Sequence, residues 1–240
     1  SLIFSPYSQR IAYVAKLGNK WFVVINGEEG KQYDFLGANS FIFSPDSQRV
    51  AHGAQLGNKC FVVVDRKEEK QYDGVGIPVF SPDSQRIAYV AKLGNKRFVV
   101  INGEEGKQYD GILSGNFLFS PDSQRVAYEA QVGNKQLVVV DGEEGKQYDL
   151  LGANFLIFSP DSQRVAHGAQ LGNKWFVVIN GEEGKQYDFL GANSFIFSPD
   201  SQRVAYEAQV GNKHLVVVDG EEGKQYDLLG ANSLIFSPHS

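Results

Sequence analysis

Residues 119–157 read FSPDSQRVAYEAQVGNKQLVVVDGEEGKQYDLLGANFLI, and this stretch decides the fold. The segment from Val126 to Gln131 alternates apolar and polar side chains, Leu137 to Val140 is β-branched and aliphatic, and neither shows a 3.6-residue period over helical length. Turn chemistry separates these runs. Pro121 pre-sets a turn dihedral and Asp122 can bond its own backbone in SPDSQ, and VGNK and the Asp141 to Gly145 segment DGEEG punctuate the rest. The stretch therefore predicts four short antiparallel strands in a meander. Val126 and Tyr128 point to one face of such a sheet and Ala127 to the other, so both faces are apolar and the unit must pack against copies of itself.

The copies are present. The Phe of the FSP motif recurs at Phe4, Phe43, Phe80, Phe119, Phe158, Phe197 and Phe236, at spacings of 39, 37, 39, 39, 39 and 39. Six complete units lie between seven markers. Four strands in about 40 residues match a propeller blade, whereas β-solenoid coils are shorter and lack these tight hairpins. The expectation is an all-β six-bladed β-propeller of four-stranded antiparallel blades, closing on itself as a single domain over residues 1–240. Residues 233–240 are a redundant seventh copy of the first strand, because SLIFSP both opens and closes the chain. The two terminal segments are expected to compete for one strand position, the loser lying on the surface or on a neighbouring molecule, which makes self-association through that strand possible.

The string FSPDSQRVAY followed by VVVD resembles the WD-like propeller repeat of TolB-type proteins and of the propeller domains attached to prolyl oligopeptidases. The resemblance runs from Phe4 to Phe236. It implies the propeller fold, and its members scaffold protein contacts, gate peptidases or bind small ligands. The chain departs from the family at Ser47, Ser84, Ser123, Ser162 and Ser201, where the family often has glycine, and at Tyr7 and His239, which stand in place of the motif's Asp. The near identity of the units resembles designed propellers or ones recently amplified from a single blade.

Composition narrows the function classes. Apolar residues make up 42% and charged residues 21% of 240, and no apolar run approaches the ~20 residues of a membrane helix. A net charge of −5 with no Lys or Arg block gives no footprint for nucleic acid or a membrane surface. Cys60 is the only cysteine, so neither an internal disulfide nor a cysteine metal site can form. No secretory signal is visible in SLIFSPYSQR, and a soluble protein without cofactors is expected.

Comparing the six units exposes one position of changing chemistry, occupied by Trp21, Cys60, Arg97, Gln136, Trp175 and His214. It follows the GNK turn, near the connections between blades. It is either a recognition ring for a protein or peptide partner or a solvent-facing position that drifts. Asn39, Asn154, Asn193 and Asn232, with Asn116 displaced by one, are expected on the same face at the channel mouth. There they would hold a small polar ligand or serve as turn residues. Glu pairs such as Glu28 with Glu29 and Glu68 with Glu69 are read as solvated turns of an acidic rim on the opposite face. His52 and His167 stand where other units have tyrosine and are each followed by glycine, so they read as packing substitutes and not metal ligands. No serine or cysteine has a base at motif spacing, so the expectation is a non-catalytic symmetric scaffold, with a ligand-binding module as the alternative.

Overall fold

The computed structural model describes residues 2–37, 41–152, 155–191, 195–230 and 234–237, and of residues 114–116 the backbone only. Asn39, Asn154, Asn193, Asn232 and His239 lie outside the described residues. No helix occurs among the described residues, and therefore none long and apolar enough to cross a membrane.

Six antiparallel sheets follow one another, one per repeat. Sheet 5 serves as the example. Its first strand is in two pieces, Leu150–Leu151 and Ile157–Phe158, both paired with the second strand Val165–Leu171. The third strand is Lys174–Ile179 and the fourth Glu182–Glu183. Sheets 2, 3 and 6 share the broken first strand, sheet 4 has it unbroken as Gly111–Phe119, and sheet 1 begins with Leu2–Phe4 alone.

Two turn types set the register. Between the second and third strands Leu171 pairs with Lys174, and Gly172 at φ 60° opens the two-residue turn. A glycine first in such a turn suits the type II′ hairpin. Between the third and fourth strands Asn180 (φ 51° in the equivalent Asn26) and Gly181 (φ 87°) form a left-handed pair, the type I′ pattern. Asn180 Oδ1 also accepts the Val165 amide at 2.9 Å, tying the turn to its own sheet. Sheet 2 carries Arg66 at φ 69° where the other sheets have glycine. The DGEEG segments are thus a two-residue turn followed by a strand, and the Glu pairs are the fourth strands themselves and not turns. In sheet 2 that strand is Lys67–Glu68, so Glu68 occupies the place of Glu29 and Glu69 that of Gly30.

The chain divides into two compact units, residues Ser1–Ile112 and Leu113–Ser240, the boundary falling inside Gly111–Phe119. Within the first unit, Val23 and Tyr33 of sheet 1 pack on Val50, Phe61 and Val63 of sheet 2. Val62 and Tyr72 of sheet 2 pack in the same way on Tyr89, Phe98 and Val100 of sheet 3. In the second unit, Val138 and Tyr148 pack on Val165 and Phe176, and Val177 and Tyr187 on Tyr206 and Leu215. Each third strand faces forward with one set of alternate residues and backward with the other. Phe61, Phe98 and Phe176 are fully buried, and each such side chain contributes on the order of 2 kcal/mol by leaving water.

The terminal segments differ. Leu2–Phe4 pairs with Ile11–Leu17, whereas residues 234–237 belong to no strand.

Candidate interaction surface

A polar seam crosses each described junction. The serine of SPDSQR after Asp holds a left-handed φ, 65° at Ser47 and 66° at Ser84. Its hydroxyl accepts an amide from the preceding sheet: Tyr7 N to Ser47 Oγ at 3.0 Å, Asp46 N to Ser84 Oγ at 3.0 Å, Asp122 N to Ser162 Oγ at 3.0 Å and Asp161 N to Ser201 Oγ at 2.9 Å. Glycine would suit that φ better, so the departure from the TolB-type pattern exchanges backbone comfort for a tie between sheets.

The arginine of the motif makes the second tie. Arg49 Nη1 donates to the Ser84 and Gln85 carbonyls at 3.2 Å each, its Nε pairs with Asp65 at 3.0 Å, and its guanidinium lies 5.1 Å from the Phe80 ring centroid. Arg125 repeats this on Ser162, Gln163, Asp141 and Phe158. A lysine makes the third, as in Lys31 to Glu68 at 2.6 Å, Lys70 to Glu105 at 2.7 Å and Lys146 to Glu183 at 2.5 Å. The last Glu of the fourth strand is therefore engaged by its neighbour at these junctions, as Glu68, Glu105 and Glu183 are, and does not form a free acidic rim there. Clefts of about 350 Å³ between sheets 4 and 5 and 370 Å³ between sheets 5 and 6 are lined by these same junction residues.

At the hairpin end, the Asp of QYD joins successive turns, a role that sequence reading missed. Asp34 accepts Lys20 Nζ at 2.6 Å within its repeat and the Gly57 amide of the next hairpin at 2.7 Å. Asp188 does the same with Lys174 and Gly211. The Gly57 amide and Lys20 hold the Asp34 carboxyl below the usual carboxylate range. The only sequence signal was the invariance of this Asp across six units.

The variable position lies at this end, half-buried except for exposed Arg97. Each residue exchanges backbone hydrogen bonds with a QYD tyrosine, as Trp175 does with Tyr187 at 2.8 and 2.9 Å. Their side chains make different contacts. Lys16 Nζ lies 5.0 Å from the Trp21 ring centroid, Gln136 Oε1 accepts the Leu151 amide of the next sheet at 2.7 Å, and Trp175 meets Phe189 of the next sheet at 6.4 Å. His214 Nδ1 is 2.8 Å from Glu207 Oε1. Cys60 is half-buried, with its thiol pushed up by burial. Beside these residues stand exposed apolar side chains at recurring places: Leu17, Leu93, Val132 and Val210 at the hairpin, and Phe35, Leu150 and Phe189 at the start of the following sheet. Of the asparagines, Asn116 is placed by its backbone in the strand Gly111–Phe119, and the other four are the undescribed ones named above.

Similar solved structures include β-propeller domains. TolB from Acinetobacter baumannii is 17% identical at a TM-score of 0.40, over 93% of this chain and 66% of that one. The β-propeller domain of the Trilobed protease from Pyrococcus furiosus is 14% identical at 0.43, over 90% and 81%. A putative 6-phosphogluconolactonase from Bacteroides uniformis is 14% identical at 0.37, over 96% and 84%. No protein-family model matches, and no curated protein does. The fold class is an all-β six-bladed β-propeller, and it rests on the six four-stranded sheets described above.

His52 and His167 are buried in their sheets, edge-on to Tyr33 and Tyr148 at 5.9 and 5.8 Å, and burial lowers both to about 4. Among the described residues no group of three or more His, Cys, Asp or Glu is placed to hold a metal ion.

Proposed function

We propose that the chain is a non-catalytic repeat scaffold that binds an apolar, aromatic-bearing peptide segment of a protein partner at the hairpin end of its sheets. The observation that carries this reading is the recurrence of exposed large apolar side chains at the hairpin end, Leu17, Leu93, Val132 and Val210 in four of the six sheets and Phe35, Leu150 and Phe189 at the start of three, beside the one position whose chemistry changes. In the second unit Trp175 and Phe189 bridge two sheets, with Val210 next to Gln209, the backbone partner of Phe189. Contiguous apolar surface of this kind marks protein contact sites, and aromatic residues dominate their energetics. The polar ties beneath keep the backbone fixed while the variable residue alters what is recognised.

The test is selection of peptides from a displayed random library against the full chain. Enriched peptides should carry aromatic or large aliphatic residues, and Phe189→Ser and Trp175→Ser should each weaken their binding at least tenfold with an unchanged circular dichroism spectrum. Selected peptides that bind both variants as tightly as the parent, or a selection with no enrichment, would overturn the reading.

A further inference from the structure

Two clefts between consecutive sheets are built alike, yet one of them is filled by a side chain of the protein itself. Between sheets 1 and 2, inside the first unit, the cavity is only about 30 Å³, and Arg66 lines it together with Val23, Ile25, Val50 and His52. Between sheets 4 and 5, inside the second unit, the same positions are Val138, Val140, Val165 and His167, Gly181 stands in the place of Arg66, and the cavity is about 350 Å³. The spacing of the sheets does not account for the difference. Lys31 reaches Glu68 at 2.6 Å and the Tyr33 and His52 rings are 5.9 Å apart across the first junction; Lys146 reaches Glu183 at 2.5 Å and the Tyr148 and His167 rings are 5.8 Å apart across the second. What differs is the side chain at the turn.

Arg66 shows what such a cleft accepts. It keeps a left-handed φ of 69° in the place of a turn glycine, a conformation that costs an L side chain energy. Its Nη2 donates to Glu28 Oε2 of the preceding sheet at 2.6 Å. Glu28 opens the fourth strand of sheet 1 and is paired in register with Ile25. In sheet 4 that place belongs to Glu143, paired with Val140. Glu143 lines the open cleft, and it has no ion-pair partner among the described residues.

We propose that the cleft between sheets 4 and 5 binds an alkylguanidinium group, its head against Glu143 and its chain along Val138, Val140, Val165 and Val178. An arginine side chain of a partner or a free small guanidine presents this group, and either occupies the place that Arg66 takes in the sister cleft. Charge favours it. The two cations that line the cleft are already neutralised, Arg125 by Asp141 at 2.8 Å and Lys146 by Glu183 at 2.5 Å. His167 is uncharged at neutral pH, because burial lowers it to about 4. Glu143 is the carboxylate left to meet an incoming cation, and a planar guanidinium matches a carboxylate better than an ammonium does.

The cleft between sheets 5 and 6 is as open but less suited. It measures about 370 Å³, with Gly220 at the turn and Glu182 in the place of Glu143. Arg164 lines it and has no carboxylate partner among the described residues, because Asn180 stands where sheet 4 has Asp141. An incoming cation there meets an uncompensated guanidinium, so this is the weaker of the two sites.

Each cleft has its own reporter, the amide of the glycine after the fourth strand: Gly30, Gly145 and Gly184 donate to the Val23, Val138 and Val177 carbonyls at 2.8, 2.9 and 2.8 Å. Titration of the full chain with propylguanidinium, followed by nitrogen–proton correlation spectra, should shift Gly145 first, Gly184 only at higher concentration and Gly30 not at all. Propylurea, the neutral counterpart of the same shape, should shift none of them. Glu143→Gln should weaken the Gly145 response about threefold and leave Gly184 unchanged. Arg66→Gly should open the sister cleft, so that Gly30 responds. The blocked peptide acetyl-Gly-Arg-Gly-amide separates the sources: a Gly145 response at the same or lower concentration points to an arginine of a polypeptide, and a response to propylguanidinium alone points to a free guanidine. No shift at Gly145, an equal response to propylurea, a Gly184 that responds as early as Gly145, a Glu143→Gln variant that responds like the parent, or a silent Gly30 in folded Arg66→Gly would each overturn the proposal. If a variant does not fold, the parent decides by its Gly145 response to propylguanidinium against propylurea. Neither Trp175 nor Phe189 lines these clefts, so the peptide-binding reading stands or falls separately.

Discussion

The Ser84 hydroxyl accepts the Asp46 amide of the preceding sheet at 3.0 Å while the Ser84 backbone holds φ at 66°. The two facts oppose each other energetically. A left-handed non-glycine residue costs about 1 kcal/mol, and a lost hydrogen bond of this kind costs about 1 kcal/mol net. Ser84→Gly should therefore leave stability nearly unchanged, and Ser84→Ala, which keeps the strain and loses the bond, should cost roughly 1–2 kcal/mol. Urea unfolding midpoints of the two variants check this, and equal midpoints would contradict it.

Arg49 is bound to two carbonyls and a carboxylate and covers the Phe80 ring. A lysine cannot reproduce a planar fork that also stacks. Arg49→Lys is expected to lose about 1 kcal/mol despite keeping the charge, measured as a lowered thermal midpoint at neutral pH. A midpoint equal to the parent's would show that charge alone suffices.

Acid should act in two separate windows. Burial puts His52 and His167 at about 4 in the folded chain against an ordinary 6.5, so between those values the unfolded chain binds protons that the folded chain does not. Stability then falls as pH drops from about 6.5 to 4 and no further from this cause, by up to ~3 kcal/mol for each histidine. Asp46, Asp122, Asp161 and Asp200 lie below the ordinary carboxylate value, first because Ser44, Ser120, Ser159 and Ser198 donate to them. Their stabilising effect is present above about 3.8 and is lost only below it. The double variant His52→Gln, His167→Gln should flatten the loss of thermal midpoint between pH 7 and 5 and leave the steep loss below pH 4. A parent whose midpoint does not change between pH 7 and 5 would refute the first window.

The Tyr72 hydroxyl donates to Glu105 Oε1 at 2.9 Å across a junction, and burial raises that phenol, as it raises Tyr148 and Tyr89 to about 12. Absorbance titration to pH 11 should leave these three phenols protonated. Tyr72→Phe should lower stability by about 1 kcal/mol, with no shift expected if the Glu105 contact is replaced by water.

The strands and turns were legible because each repeat supplies its own punctuation, and six copies agree where one would be ambiguous. Asn180 with Gly181 and Gly172 with Asn173 are hairpin signals in themselves. The junctions were not legible. Nothing in FSPDSQR says that its serine and arginine reach 35 to 40 residues ahead or behind, because that needs the twist and spacing of neighbouring sheets. Counting Glu pairs also misled, since Glu68 and Glu69 look like Glu28 and Glu29 while the strand register places Glu68 with Glu29. Glu207, which meets His214 from within the second strand, carried no sequence signal beyond standing, like Glu129, where the other four repeats have valine or glycine.

The ties between sheets join residues only 15 to 40 positions apart, as in Gln136 to Leu151, Asp34 to Gly57 and Asp122 to Ser162. Such a chain can nucleate wherever two adjacent hairpins first meet and then propagate in either direction, each step closing a loop of nearly the same length. Its cooperativity is then a sum of contacts between sequence neighbours, so that a defect in one unit is felt first by the two sheets beside it.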